Sequence, residues 1–284
     1  TTANANWQDT KRNRGVPVRI YFPEAKGPAP VILFSHGLGG SRENNAFLGE
    51  RLAQRGYVAV FIQHPGSDES VWRGVPARER MAKMRTAASG QNLRLRVDDV
   101  TFVIDQLGTK LSGRADTNRI GICGHSFGAV TSQAKTGHRY PVVGLTWTDP
   151  RIKAAAMYSP SPSKGTDAKT QFGDVKVPWL LLTGTKDDAE VNNLSAAERL
   201  RVFPALPAGD KFECVLAGAE HSAFSERALP GDRMARNPNH HRVMLGLTVA
   251  FFDAYVRGMP EAKAWIKGSG PKAVMEPKDT WKTK

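Results

Sequence analysis

Apolar residues in this chain occur as short continuous runs that alternate with longer segments in which they recur every three or four positions. Continuous Val, Ile, Leu and Phe runs are typical of parallel strands covered on both faces, whereas the longer spacing is typical of amphipathic helices. The runs predict strands at 16–22, 31–35, 58–63, 120–124, 152–158, 179–183 and 212–216. The helical spacing predicts helices at 44–55, 93–107, 127–136, 194–203 and 241–256.

This alternation continues nearly from end to end, without a repeat, a composition break or a Gly/Ser/Pro-rich linker. It predicts a single α/β domain over 1–284 that contains a mostly parallel sheet. Residues 64–92 show no sustained apolar period. We expect them to form a cap or lid over a site.

The composition, 40% hydrophobic and 24% charged, is that of an ordinary soluble globular protein. The most apolar stretch, 243–252, is interrupted by Gly246 and Thr248, which indicates a buried helix and not a membrane span. Cys123 and Cys214 lie in strands that we do not expect to be neighbours, so both are predicted to be buried thiols. The chain starts without a methionine, and a secreted or periplasmic location after removal of a leader stays open.

Basic residues exceed acidic ones by 40 to 27, which gives a formal net charge of +13. The excess concentrates in 73–96, where one acid, Glu79, stands among Arg73, Arg78, Arg80, Lys83, Arg85, Arg94 and Arg96. We expect this segment to form a cationic patch that faces solvent near the site and associates weakly with anionic surfaces. It lacks the interleaved aromatic residues of nucleic-acid-binding modules, so nucleic acid is not an expected partner.

The pentapeptide 124–128, Gly-His-Ser-Phe-Gly, directly follows the apolar run 120–123. This G-x-S-x-G pattern is typical of a nucleophile elbow, in which a serine is exposed on a sharp turn between a strand and a helix. Glycines on both sides are needed because the turn brings backbone segments too close together for a Cβ. A serine hydroxyl is a weak nucleophile, so the motif predicts that a histidine base, a carboxylate and an oxyanion hole lie near Ser126.

Residues 36–40 supply a glycine-rich turn after an early strand, where backbone N–H groups can stabilise a developing negative charge. We expect the amides of Leu38 and Phe127 to form the oxyanion hole. His36 is expected to brace the turn by hydrogen bonds. Gly39 and Gly40 are equally consistent with an ordinary turn.

The strand 179–183 leads into Asp187 and Asp188, and the strand 212–216 leads into His221. A carboxylate after one core strand and a histidine after the last one match the chain order serine, acid, histidine of α/β-hydrolases. Asp187 is preferred as the acid because the turn has the spacing Gly-x-x-Asp, and Asp188 is then available to cap the next helix.

Together, the elbow, the 35–39 turn, the strand end at 61–64 and the segment 219–221 resemble the α/β-hydrolase superfamily, closest to the branch of platelet-activating-factor acetylhydrolase, dienelactone-hydrolase-like and cutinase-like esterases. The resemblance implies an α/β-hydrolase fold with a central sheet of about eight strands and helices on both faces. It also implies a serine carboxylic-ester hydrolase without a metal or organic cofactor.

Two departures limit what the resemblance implies. The strand that follows the nucleophile, 152–158, carries no carboxylate, and Asp149 precedes it at the wrong end. The acid of the platelet-activating-factor enzymes therefore has no counterpart there, and Asp187, one strand later, matches the cutinase-like arrangement. Dienelactone hydrolases proper use a cysteine, so the serine of this elbow disfavours that activity.

The expected substrates are small or short-acyl esters, with polyesters or phospholipid acyl esters as alternatives. A peptidase or amidase would use the same three residues, and a catalytically inactive binding protein is the alternative of another class. Trp72, Trp147 and Tyr158 lie near strand ends or in the expected lid. They are candidates to line an acyl pocket, and core packing accounts for them equally well.

Overall fold

The computed structural model describes residues 1–226, 228–229 and 231–284. Its strands are β1 (Thr2–Asp9), β2 (Arg14–Tyr21), β3 (Ala29–Ser35), β4 (Val58–Ile62), β5 (Ala115–His125), β6 (Arg139–Tyr140), β7 (Leu145–Thr146), β8 (Ile152–Tyr158), β9 (Trp179–Lys186), β10 (Lys211–Glu220) and β11 (Thr280–Thr283). Its α-helices are α1 (Ala46–Gln54), α2 (Ala77–Ala87), α3 (Gly90–Lys110), α4 (Phe127–Lys135), α5 (Ala168–Phe172), α6 (Ala196–Arg199), α7 (Val202–Ala205), α8 (Pro238–Tyr255) and α9 (Pro260–Lys267). Short 3₁₀ helices cover Glu69–Val71, Pro141–Val143, His221–Phe224 and Pro271–Ala273.

Nine of these strands form one sheet in the order β1-β2-β4-β3-β5-β8-β9-β10-β11. The six strands from β4 to β10 in this order pair in parallel, and the strands at both edges pair antiparallel. This is the mostly parallel sheet of an α/β-hydrolase fold, so the predicted fold class is confirmed. The carboxyl ends of the parallel strands lie at one edge of the sheet, where α/β proteins bind their ligands.

Successive residues of the central strands point to opposite faces of the sheet, and each face has its own apolar core. On one face Val31 and Leu33 of β3 pack in a cluster with buried side chains of α3 and α7. On the other face Ile32 and Phe34 pack in a cluster with α1 and α8. Because both faces are covered, the strands consist of continuous apolar runs.

Several elements differ from the sequence-based expectation. The segment 64–92, which has no sustained apolar period, nevertheless contains a 3₁₀ turn and the helix α2. The predicted helix 194–203 is divided into α6 and α7. Both cysteines are buried and free, as expected. The single domain and a lid function for 64–92 stay predictions.

Candidate active site

Ser126 occupies the sharp turn between β5 and α4, with backbone angles of φ 56° and ψ −116°. A Cβ on Gly128 would lie 1.8 Å from the carbonyl oxygen of Ser35, and one on Gly124 would lie 2.3 Å from the carbonyl oxygen of Gly128. Both positions therefore exclude any residue with a side chain. The backbone N–H of Ser126 donates to the carbonyl of Tyr158 in β8 at 2.9 Å, which holds the turn against the sheet.

The three residues predicted from the chain order lie in hydrogen-bond contact. Ser126 Oγ is 2.9 Å from Nε2 of His221, and Nδ1 of His221 is 2.7 Å from Oδ1 of Asp187. Asp187 follows β9 directly and His221 follows β10 directly, so neighbouring parallel strands deliver both residues to the same edge of the sheet. The arrangement can carry a proton from a serine hydroxyl to an imidazole that a carboxylate orients.

The two adjacent aspartates have different partners. Asp187 is fully buried, and its Oδ2 accepts a hydrogen bond from the Thr183 hydroxyl at 2.8 Å. Burial opposes its charged form, but the charges of Arg199 and His221 outweigh burial and hold the pKa of Asp187 below its ordinary value. Asp188 instead accepts from the backbone N–H of Ala196, the first residue of α6, at 2.8 Å.

His125, inside the elbow, also contributes to the site. Its Nε2 lies 3.0 Å from the carbonyl oxygen of His221, and the two rings are 4.8 Å apart. Since a carbonyl only accepts, the ring must donate from Nε2. Burial, followed by the charge of His221, lowers the pKa of His125 to about 3, so the ring is neutral at physiological pH. It therefore ties the backbone of His221 to the nucleophile turn, a contact that the sequence analysis did not predict.

The expected oxyanion hole lies beside the serine. A Cβ on Gly37, in the turn after β3, would lie 3.5 Å from Cβ of Ser126. In the described part of the chain, the backbone amides of Leu38 and Phe127 have no hydrogen-bond acceptor. The amide of Gly39, the residue after Leu38, does have one, because it donates to the carbonyl of Ser67. Two unpaired amides next to a candidate nucleophile are suited to bind an oxyanion.

His36 braces this turn, as predicted. Its Nε2 is 3.0 Å from the backbone nitrogen of His64 and therefore accepts, which leaves the proton on Nδ1, 2.6 Å from the carbonyl oxygen of Gly37. Burial and the charge of Arg96 lower the pKa of His36 well below its ordinary value. The ring is thus a neutral link between two backbone segments.

A buried polar network extends behind the turn from Asp99 to Arg96. His64 lies 3.1 Å from Asp99 Oδ2 through Nδ1 and 2.9 Å from Ser35 Oγ through Nε2. The guanidinium of Arg96 donates to Ser67 Oγ and to the carbonyl of His36, both at 2.8 Å. All members are buried, so the network is part of the fold and holds in place the turn 36–40, named the oxyanion turn after its expected role.

Arg96 also contacts the other half of the expected oxyanion hole, because its guanidinium carbon lies 4.4 Å from the centre of the Phe127 ring. This overturns its assignment to an exposed cationic patch. Arg96 falls on the buried stripe of α3 together with Leu93, Val97 and Val100. That spacing of three and four residues is the signal by which the sequence could have placed it inside.

The rest of the basic segment does face solvent. The side chains of Arg73 and Arg94 are each 66% exposed, and that of Arg78 is 86% exposed. The Met84 side chain of α2 lies against Gly39, because a Cβ on Gly39 would be 2.8 Å from it. The basic helix α2 therefore lies next to the turn 36–40. Its association with anionic surfaces stays a prediction.

The three pocket candidates occupy different environments. Trp72 is half-buried and donates from Nε1 to the carbonyl of Gly39 at 2.6 Å. The ring of Trp147 lies 5.0 Å from that of Tyr140, and both pack against a small cluster of Leu93, Val97 and Ala134. Contact of either tryptophan with an acyl group stays a prediction. Tyr158 is fully buried in the core that α8 covers, and its hydroxyl lies 2.9 Å from Thr248, which is the core packing that the sequence left open as the alternative.

Among the described residues, no three His, Cys, Asp or Glu side chains cluster in a way that could hold a metal ion. None of the helices described is both long and apolar enough to cross a bilayer.

Residues 16–229 match the model of the dienelactone hydrolase family, so the chain belongs to this family of the α/β-hydrolase superfamily. It is 28% identical to platelet-activating factor acetylhydrolase of Cavia porcellus over 41% of the chain and 34% of that protein. It is 24% identical to cutinase est2 of Thermobifida alba over 72% of the chain and 56% of that protein, and 23% identical to cutinase 2 of Thermobifida cellulosilytica over 59% and 52%. The match thus spans less than two thirds of each relative.

Proposed function

We propose that this member of the dienelactone hydrolase family is a serine carboxylic-ester hydrolase that acts on small or short-acyl esters through an acyl-enzyme. The observation that carries the proposal is the continuous hydrogen-bonded line from Ser126 through His221 to Asp187. The relatives named as cutinases and as an acetylhydrolase support ester substrates over amides. Polyesters and phospholipid acyl esters are the alternatives that the same relatives support.

In the first half of the reaction, Nε2 of His221 takes the proton of Ser126 while Oγ attacks the ester carbonyl carbon. The carbonyl oxygen becomes an oxyanion, to which the amides of Leu38 and Phe127 donate. The imidazolium, stabilised by Asp187, then gives its proton to the leaving alkoxide. The products of this half are the free alcohol and an acyl group bound to Ser126.

In the second half, water takes the place of the alcohol. His221 accepts a proton from the water as its oxygen attacks the acyl carbon, and the same two amides stabilise the second oxyanion. Collapse of this intermediate breaks the bond to Ser126, and the proton returns from His221 to the serine oxygen. The carboxylic acid leaves and the starting state is restored.

The test is hydrolysis of p-nitrophenyl butyrate by the wild type and by Ser126→Ala. We expect kcat to fall by at least ~10³ in the variant while circular dichroism stays unchanged. Ser132→Ala is the matched control, because the Ser132 hydroxyl only donates to the carbonyl of Gly128 within α4. A fluorophosphonate should label the wild type at Ser126 alone. Full activity of Ser126→Ala, or labelling at another serine, would refute the assignment.

A further inference from the structure

The proposed acid Asp187 contacts two groups that can carry a positive charge. One is the imidazole of His221, and the other is the guanidinium of Arg199. Nε of Arg199 donates to the backbone carbonyl of Asp187 at 2.8 Å and lies 3.1 Å from Oδ1, the same oxygen that faces His221. Only 1% of the Arg199 side chain is exposed, and Asp187 is fully buried. At such burial water screens the charges weakly, so their interaction is strong.

The remaining nitrogens of Arg199 fix its position. Nη1 donates to the carbonyls of Ser159 and Pro160 at 2.9 and 3.2 Å and to the hydroxyl of Ser161 at 2.8 Å. These three residues follow β8, the strand between the nucleophile strand and the acid strand. Arg199 therefore connects the turn after β8 with the turn that carries Asp187.

Nη2 of Arg199 lies 3.3 Å from Nδ1 of His221. When Nε2 of the imidazole accepts from Ser126, Nδ1 carries the proton and donates to Asp187. The guanidinium is itself only a donor, so it cannot bond to Nδ1 in this tautomer. It acts on the imidazole through its charge, which disfavours the protonated ring, and through its hold on Asp187.

The titratable or charged groups that contact His221 are Asp187 after β9, Arg199 of α6 and His125 of the elbow. Further such groups on the neighbouring segments are Lys186, Asp188, Glu198, Glu220, Asp232 and His240. Asp188 and Glu198 accept from backbone N–H groups at the start of α6, and Glu220 accepts from those of Arg233 and Met234. Among the described residues, Arg199 is the cation that contacts Asp187.

We propose that Arg199 is a positioning residue that offsets the charge of Asp187 and so keeps the imidazole of His221 neutral, and active as a base, further into the acidic range. An imidazolium beside a free carboxylate forms an ion pair. Beside an Asp187 that is also paired with Arg199, the attraction of the carboxylate is partly offset by the guanidinium, so the imidazolium gains less from it. The inference rests on the proposed function, since it concerns the same base.

The experiment is the pH dependence of kcat/KM with p-nitrophenyl butyrate for the wild type, Arg199→Gln and Arg199→Lys. Removal of the charge should move the midpoint of the acid limb upward by about one pH unit, the usual effect of a charge at this distance. Arg199→Lys keeps the positive charge but loses the hydrogen bonds that Nη1 donates to residues 159–161. We therefore expect kcat to fall while the midpoint of the acid limb stays unchanged. An unmoved midpoint in folded Arg199→Gln would leave Arg199 a structural role only and overturn the inference.

Arg201→Gln is the charge control, because Arg201 is exposed and follows Arg199 by two residues. Its midpoint should equal that of the wild type, and an equal shift in both glutamine variants would mean that net charge alone is responsible. If Arg199→Gln does not fold, Arg199→Lys decides, because a raised midpoint in that variant also contradicts the inference. Failure of the proposed function would be seen separately, as activity retained by Ser126→Ala.

Discussion

The two sides of the candidate site each contain a buried arginine, but the two guanidinium groups have opposite surroundings. On the acid side, Arg199 contacts the carboxylate of Asp187. On the oxyanion side, Arg96 bonds to hydroxyl and carbonyl oxygens and lies over the ring of Phe127. The negative charges of Asp99 and Asp68 attract Arg96 and offset part of the energetic cost of its burial.

Arginine therefore serves two electrostatic purposes in the proposed mechanism. The charge of Arg199 is largely cancelled by Asp187, so its effect is confined to the imidazole that shares this carboxylate. The charge of Arg96 is less well compensated and lies behind the turn where an oxyanion would develop. A positive field at that place favours the transition state over the neutral ester. In the proposed mechanism, the acid side therefore controls the base, and the oxyanion side supports the developing charge.

The largest expected effect is on the acid side, from Asp187→Asn. An asparagine of the same shape can hold His221 in the wrong tautomer, and Nη2 of Arg199 then becomes a donor to the unprotonated Nδ1. We expect kcat to fall by ~10² to 10⁴ with the fold retained. Asp188→Asn is the control and should cost less than ~10-fold, because Asp188 only caps α6. The reverse ranking in kinetic assays would assign the acid to Asp188.

The next effect is on the oxyanion side, from Arg96→Met. Methionine fills similar space but leaves the Ser67 hydroxyl and the His36 carbonyl without their donor, which should destabilise the fold by about 1–3 kcal/mol. Because the oxyanion turn loses both its brace and its nearby charge, kcat should fall about 10-fold or more with KM little changed. Arg94→Met, on the exposed side of α3, should leave both constants unchanged. A folded Arg96→Met with wild-type kcat would show that the oxyanion side does not depend on this charge.

The smallest effect concerns stability and separates the two sides by pH. Burial, with the charge of Arg96, lowers the pKa of His64 to about 4. In the unfolded chain this histidine has a pKa near 6.5. Between pH 6.5 and 4 the unfolded state therefore binds more protons than the folded state, and the stability that is present above pH 6.5 is lost as the pH falls towards 4. From pH 7 to 5.5 the loss should be about 1 kcal/mol for this one histidine.

Urea unfolding of the wild type and of His64→Gln at both pH values measures this contribution. The variant should be less stable but should lose less on acidification. Asp187 should not contribute in this range, because its pKa is lowered from 3.8 and its stabilisation is lost only at pH values below that. Equal losses in both proteins would mean that His64 is already protonated in the folded state.

The sequence predicted the central sheet and brought out the three residues that meet in the candidate site because both depend on local patterns. Apolar runs mark covered strands, and Ser126, Asp187 and His221 follow three of these runs in the order typical of the fold. The elbow needs two glycines at set positions, and this requirement is visible in five residues. Each apolar run and the elbow is encoded by a few consecutive residues, so each can be recognised in the sequence.

Features that depend on tertiary contacts were missed or misplaced. A basic run suggested that Arg96 is exposed, although its helical register with Leu93 and Val97 places it inside. Arg199 belongs to a four-residue helix, too short for a period to show which side is buried. The edge strands β1 and β11 are mostly exposed and lack apolar runs, so their pairing with β2 and β10 left little trace in the sequence.

The backbone of Ser126 has a further consequence for engineering. A non-glycine residue held at φ 56° and ψ −116° stores strain of roughly 1–3 kcal/mol. Glycine at this position would release the strain and remove the hydroxyl at the same time. A screen that selects for heat resistance alone would therefore favour the loss of the proposed nucleophile, and any such selection has to be coupled to turnover.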